Sequence, residues 1–256
     1  MKDNGRILAV GAHPDDVEFL CAGTLFLLRE KGYEITIATM TPGDVGSMTE
    51  SPEAIAARRR KEAAHAAEAL EARYICLEER DFCVDFNEPT RRKVTRLVRE
   101  VNPFLVFTNS PQDYMADHEM TSRLVQQACF AASVPNYRVE GLPDGKISDG
   151  VPWLYYADAI EGRDILGTPI PAGFYVDISD TIEKKKEMLG RHASQRDWLR
   201  AQHGMDEYIN AMVRWSSVRG GEAGFRYAEA FRQHLGHGYP QENFLAGCLG
   251  NRVKTI

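Results

Sequence analysis

Residues 7–18 read ILAVGAHPDDVE, and the change of character halfway along this stretch decides the fold. Ile7–Ala12 is an unbroken apolar run containing a glycine, the pattern of a parallel strand buried on both faces. From His13-Pro14-Asp15-Asp16 onward the spacing turns helical through about Lys31, with Phe19, Leu20, Leu27 and Leu28 as its apolar positions and Gly32 as a stop. The alternation then repeats. Glu34–Met40 reads as a second strand closing in the loop Thr41–Ser47, and Pro52 opens a helix to about Ala72. Tyr74–Leu77 reads as a third strand, Pro89 to about Val101 as a helix, and Phe104–Thr108 as a fourth strand. Four such alternations predict an α/β fold, a mostly parallel sheet with helices on both faces.

The C-terminal half is less regular. Pro135–Gly150 reads as a loop, Trp153–Ala157 and Phe174–Ile178 as additional strands with Gly167–Gly173 between them, the chain from Asp180 as helical, and the tail past Leu235 as irregular. Arg219–Gly224 and Gly236–Tyr239 have the composition of mobile loops that a lid would use. No linker divides the chain. The expectation is one domain, 1–256, with a core at 1–134 and pocket-forming C-terminal elements at 135–256.

With 256 residues, 43% hydrophobic and 27% charged, a disordered or fibrous chain is excluded. No apolar run approaches the ~20 residues of a membrane-spanning helix, so no membrane partner is expected. The net charge of −6 argues against nucleic acid as a partner. The opening MKDNGRILAV leaves no room for a signal peptide before the first strand, which predicts a cytoplasmic protein. The five cysteines (Cys21, Cys76, Cys83, Cys129 and Cys248) form no CxxC pair and read as reduced, mostly buried thiols.

In such sheets ligands bind beyond the carboxyl ends of the strands. Strand one delivers His13, Asp15 and Asp16 there; strand two delivers Thr41, Gly43, Asp44 and Ser47; strand four delivers Asn109, Asp113, Asp117 and His118. His13 and Asp16, three apart at a strand–helix junction, can converge on one point, and His118 can join them from a second loop. Two imidazoles and a carboxylate make a catalytic zinc set with one position open. Asp15, between the ligands, is then free to act as general base. The competing reading makes Asp15 and Asp16 helix caps that complement the helix dipole. A nucleotide-binding module has little support, because the first turn lacks GxGxxG.

At this point the sequence resembles the LmbE-like, or PIG-L, zinc-dependent N-deacetylases. Ala12-His13-Pro14-Asp15-Asp16-Val17-Glu18 looks like their signature, Thr41-Pro42-Gly43-Asp44 like their second loop, Arg59-Arg60-Lys61-Glu62 like their Arg-x-x-Glu helix, and Asp117-His118 like the end of their His-x-Asp-His segment. Val176–Ser179, Lys185, His192–Gln195 and Tyr227–Phe231 continue the likeness. The resemblance implies a Rossmann-like fold and removal of an acetyl group from an N-acetylglucosamine-type amino sugar or its conjugate. Some relatives cleave larger amides, and a homo-oligomer fits the family. It also implies zinc, or another divalent metal such as Fe2+, on His13, Asp16 and His118, with Asp15 as general base and Arg59, Asp44 and Asp117 toward the substrate.

One departure stands out. Where the family's segment begins with a histidine that stabilises the oxyanion, this chain has Met115, which cannot donate a hydrogen bond. Tyr114, His192 or His237 could take that role, or the reaction has moved to a larger acyl group, or the protein binds a sugar without turnover. His192 also reads as a packed core histidine. Asp44 reads equally as a turn residue, and Arg58–Lys61 largely as a solvated face. His65 reads as structural and His203 and His234 as surface residues. Trp153, Trp198 and Trp215 read as packing residues rather than as a sugar platform.

Overall fold

The computed structural model describes residues 2–143, 145–196 and 207–256. Among them lie strands β1 (Arg6–Gly11), β2 (Glu34–Thr39), β3 (Arg73–Cys76), β4 (Leu105–Thr108), β5 (Trp153–Ala157), β6 (Phe174–Asp177), β7 (Ala228–Gln233) and β8 (Val253–Thr255). The helices are α1 (Asp16–Leu20), α2 (Ala22–Glu30), α3 (Pro52–Glu68), α4 (Glu88–Val101), α5 (Ala116–Ala131), α6 (Ile182–Gly190), α7 (Glu207–Ala223) and α8 (Phe244–Leu249). All eight strands join one sheet in the order β3-β2-β1-β4-β5-β7-β6-β8. The first five are parallel, and β7, β6 and β8 extend the sheet antiparallel.

The apolar run of β1 reflects its central place, with Ile7 beside Ile35 on one neighbour and Leu105 on the other. Successive side chains point to opposite faces. Ile7 and Ala9 enter a core with α1, α2, α6 and α7, while Leu8 and Val10 enter a second core with α4 and α5. Helix boundaries follow local chemistry. Ser51 accepts from Ala54 N at the start of α3 and Asn87 from Thr90 N at the start of α4, each with a proline in the first turn. Asn102 ends α4 in the left-handed region.

Several expectations need correction. The helix expected through Lys31 breaks at Cys21, and the break aims the Gly23 and Thr24 amides at Glu229, at 2.8 and 2.7 Å. Ala228–Gln233 lies in a stretch that reads as helical, yet it is strand β7. Alanine and glutamate favour helix locally, but Ala228, Ala230 and Phe231 are buried between strands, and Glu229 is committed to Lys185 at 2.6 Å. Arg219–Ala223 is the end of α7 rather than a loop, and Gly220 lies so close to the backbone of Phe225 and Arg226 that a Cβ would come within 2.8 Å. The tail carries α8 and β8. The cysteines are unpaired; Cys21 and Cys129 are buried but Cys83 is exposed. No described helix is long and apolar enough to cross a membrane. Trp198 and His203 lie outside the described residues.

Candidate active site

From β1 the chain winds outward through β2 to β3, then returns to β4 on the other side of β1. The loops after β1 and β4 therefore part company and open a crevice at the switch point. His13 and Asp16 stand at the end of β1. His118, expected on a loop, is in the first turn of α5 after β4. The β1 turn is tight enough that a Cβ on Gly11 would come 2.7 Å from that of Asp16.

Each candidate ligand has one atom fixed by a neighbour and another turned to the common point. Asp16 Oδ2 accepts from Ala12 N (2.8 Å), His13 N (3.1 Å) and Asn109 Nδ2 (3.1 Å), which leaves Oδ1 3.4 Å from His118 Nε2. His118 Nδ1 is held by Asp113 at 3.0 Å. His13 Nε2 is held by Asp117 at 3.1 Å, which leaves Nδ1 toward Asp16 at 3.9 Å. The ligand atoms of His13, Asp16 and His118 lie within 4.8 Å of one another, and all three residues are buried.

The donor chemistry fits a metal ion. Ligands about 2.1 Å from a tetrahedral zinc stand roughly 3.4 Å apart, the separation of Asp16 Oδ1 and His118 Nε2. Carboxylates behind both imidazoles orient metal-binding histidines and increase their basicity. The field points the same way. Burial opposes charge on His118, but Asp16 and Asp113 together push it up to about 11. Burial likewise disfavours the Asp16 carboxylate, but His118 and His13 hold it well below the usual range. The site is built to concentrate positive charge.

Asp15 sits beside this cluster with φ 102°, an unusual backbone for a non-glycine residue of the kind that gathers at functional sites. Burial raises its pKa, countered chiefly by Arg59 and then His192. Its Oδ2 accepts a 2.5 Å hydrogen bond from Tyr208 of α7 and lies 3.7 Å from Arg59 Nη2. Arg59 is buried, donates to Pro14 O at 2.9 Å, and lies flat against the β2 loop. A Cβ on Gly43 or Gly46 would come within 2.4 or 2.6 Å of its Nη1.

These groups line a cavity of about 670 Å³. His13, Asp15, Asp16, His118, Arg59, Tyr114 and Met115 border it. Four expected residues do not. Asp44 accepts from Asp81 N at 2.9 Å and knits the β2 loop to the β3 loop. Asp117 is spent on His13 and on Phe82 N, at 2.7 Å, so it orients the candidate ligand His13 and does not border the cavity. His192 is fully buried against Glu18 at 3.0 Å, and His237 borders a different cavity beside Phe130 and Tyr239. Among the lining residues that were not foreseen are Tyr208, Asp81, whose Oδ1 is buried without a partner, and Phe82. Tyr208 had no local signal, because its helix lies almost two hundred positions from Asp15. The charge run Glu78–Asp81 ending in Phe82 was the only hint of the other two.

Switch point, donor set and neighbouring carboxylate together define the class: an α/β protein with a candidate two-histidine, one-carboxylate metal centre. Residues 8–129 match the family described as PIG-L: GlcNAc-PI de-N-acetylase, and this part of the chain is a PIG-L (LmbE-like) domain. A probable N-acetyl-alpha-D-glucosaminyl L-malate deacetylase 2 of Bacillus anthracis is 27% identical over 206 residues, 76% of this chain and 83% of its own. Among solved structures, the N,N'-diacetylchitobiose deacetylase of Pyrococcus horikoshii superposes with a TM-score of 0.76 at 25% identity, covering 94% of this chain and 87% of its own. The 4-carboxy-2-hydroxymuconate hydratase GalB of Pseudomonas putida superposes with a TM-score of 0.75 at 22% identity, over 93% and 99% of the two chains. At that identity it shares the fold alone.

Proposed function

We propose that the protein is a zinc-dependent N-deacetylase acting on an N-acetylglucosamine-type amino sugar or its conjugate, with 1–256 as one domain. The observation that carries the reading is the buried His13–Asp16–His118 cluster with the Asp15 carboxylate beside it in one cavity. His13 Nδ1, Asp16 Oδ1 and His118 Nε2 would hold the ion. When bound, a divalent cation polarises the amide carbonyl and makes water acidic enough to ionise near neutral pH.

The chain's own groups supply the rest. Asp15 takes the proton of the attacking water, the water oxygen adds to the acetyl carbon, and Asp15 returns the proton to the nitrogen as the C–N bond breaks. Acetate and a free amine result. Tyr208 and Arg59 fix the Oδ2 edge of Asp15, leaving Oδ1 for the proton. Arg59 and Asp81 border the cavity, a guanidinium and a carboxylate suited to polar groups of a sugar. Of the residues considered to replace the donor missing at Met115, Tyr114 alone borders the cavity. A tyrosine phenol is protonated at neutral pH and able to donate.

The test is acetate release from N-acetylglucosamine and its methyl glycoside by metal-reconstituted protein, with Asp15→Asn as control. Asparagine tolerates the positive φ better than most residues. Release abolished in the variant at unchanged metal content supports the reading. Absence of release from metal-loaded wild-type protein overturns it.

A further inference from the structure

Besides the catalytic groups, the cavity carries a set of apolar side chains. Phe19, Met115 and Ile160 line it, and Val45, Phe82 and Tyr114 stand at its rim. The rim side chains are 43%, 72% and 62% exposed. Isolated exposed apolar residues are ordinary, but three around one mouth that opens onto buried catalytic groups form a patch of the kind that marks binding.

Phe82 is the informative one. Its φ of +62° is a left-handed backbone that a bulky side chain adopts only at a cost, and its ring stands in water. The surroundings hold it there. Its N–H donates to Asp117 Oδ2 at 2.7 Å, the same oxygen that orients His13. Val45 is fixed by a comparable link, its N–H to Asp81 Oδ2 at 3.1 Å, and Asp81 N bonds Asp44 Oδ1 at 2.9 Å. The β2 and β3 loops are thus laced together beneath the rim. An apolar surface presented on a strained, hydrogen-bonded frame is organised before any ligand arrives.

We infer that this rim is a subsite for an apolar group, a ring or a short alkyl chain, carried by the same molecule as the scissile amide. The inference rests on reading the site as an amide hydrolase. It extends that reading from the acetamide and its sugar to what is attached to them. The apolar group can enter from either side of the amide, as a lengthened acyl chain or as an aglycone, and the two sources separate experimentally.

The experiment compares kcat/KM of the metal-loaded protein on three compounds: methyl N-acetylglucosaminide, its phenyl glycoside, and methyl N-hexanoylglucosaminide. The same three are run with Phe82→Gly, which accepts φ +62° and keeps the N–H to Asp117 while removing the ring. Seating one ring or a chain of four additional methylenes on apolar surface is worth at least tenfold in kcat/KM. The expected result is a preference of that size for the phenyl or the hexanoyl compound, falling to within threefold of unity in Phe82→Gly. The compound that shows it tells which side of the amide carries the group. Turnover of all three at equal rates, or a preference that survives Phe82→Gly, overturns the subsite and leaves the deacetylase reading standing. A change of oligomeric state by light scattering in Phe82→Gly, with the preference intact, assigns the rim to contacts between copies and also overturns it. No turnover of any compound overturns both readings.

Discussion

Tyr208→Phe removes one oxygen from the molecule, the one that donates to Asp15 Oδ2 over 2.5 Å. The ring, its packing against Phe19 and its place in the core are left in position. A hydrogen bond to a charged group contributes about 1.5–3 kcal/mol. With the hydroxyl gone, the nearest cation to that oxygen is Arg59 Nη2 at 3.7 Å, beyond hydrogen-bond reach. Two consequences follow, and they separate by pH. The bond favours the carboxylate, so deleting it raises the Asp15 pKa, and the acid limb of kcat/KM moves to higher pH. Deletion also frees the Asp15 side chain to leave the line of attack, and that loss persists on the alkaline plateau. If the full bond energy is felt in the transition state, plateau kcat falls by about 10- to 100-fold while KM stays within about threefold, since the hydroxyl touches the base rather than the substrate. Acetate release between pH 5 and 9, at equal metal content, measures both effects. A variant whose plateau kcat equals that of the wild type, with only the limb displaced, would show that Tyr208 tunes the base without positioning it, and the geometric argument would fail.

Gly46→Ala places a Cβ 2.6 Å from Arg59 Nη1, and because that atom ends a long side chain, activity should suffer more than stability. We expect kcat/KM to fall about tenfold with under about 1.5 kcal/mol lost in urea unfolding. Lys185→Met leaves Glu229 buried and charged without its 2.6 Å partner, which should cost about 3–5 kcal/mol by denaturant titration; adding Glu229→Gln should restore at least about 1 kcal/mol of it. Chelation should abolish acetate release and lower the melting temperature. Zinc held at the proposed site at a hundredfold its Kd would contribute about 2.7 kcal/mol, or roughly 5–10 °C for a chain of this size, and His118→Ala should erase that metal-dependent shift in calorimetry.

The parallel half of the fold was legible because its signals are local. Each strand is a short apolar run, and the helices α3 and α4 are opened by a cap with a proline, at Ser51-Pro52 and at Asn87 with Pro89. The three candidate ligands were legible for the same reason, since strand ends at a switch point name their own loops. What failed were statements about which distant partner a residue meets. Glu229 reads as a helical residue until the buried Lys185 and the amides of Gly23 and Thr24 are placed around it. Asp117 reads as a substrate contact until His13 and Phe82 N consume its carboxylate. Tyr208 joins the site only because α7 packs back over the first turn, which no spacing in the sequence records.

Met115 bears on two separate accounts at once. It is the residue before α5, in extended backbone, and its side chain makes no capping bond. Serine, threonine, aspartate or asparagine there would stabilise the helix by about 0.5–2 kcal/mol, and a histidine there would supply the oxyanion donor that the family resemblance implies. Methionine does neither. The first turn compensates with Asp117 and Glu119, whose charges suit the helix dipole, and Glu119 also accepts from Asp113 N at 3.0 Å, which steadies the carboxylate behind His118. What Met115 does contribute is apolar surface in the cavity that His118, Val45, Phe82 and Tyr114 also line. A position that forgoes both a cap and an oxyanion donor, yet adds apolar surface to the cavity that Phe19, Val45, Phe82 and Ile160 also line, makes sense when the substrate brings an apolar group into it. For a bare amino sugar, each of the residues it displaces would have served better.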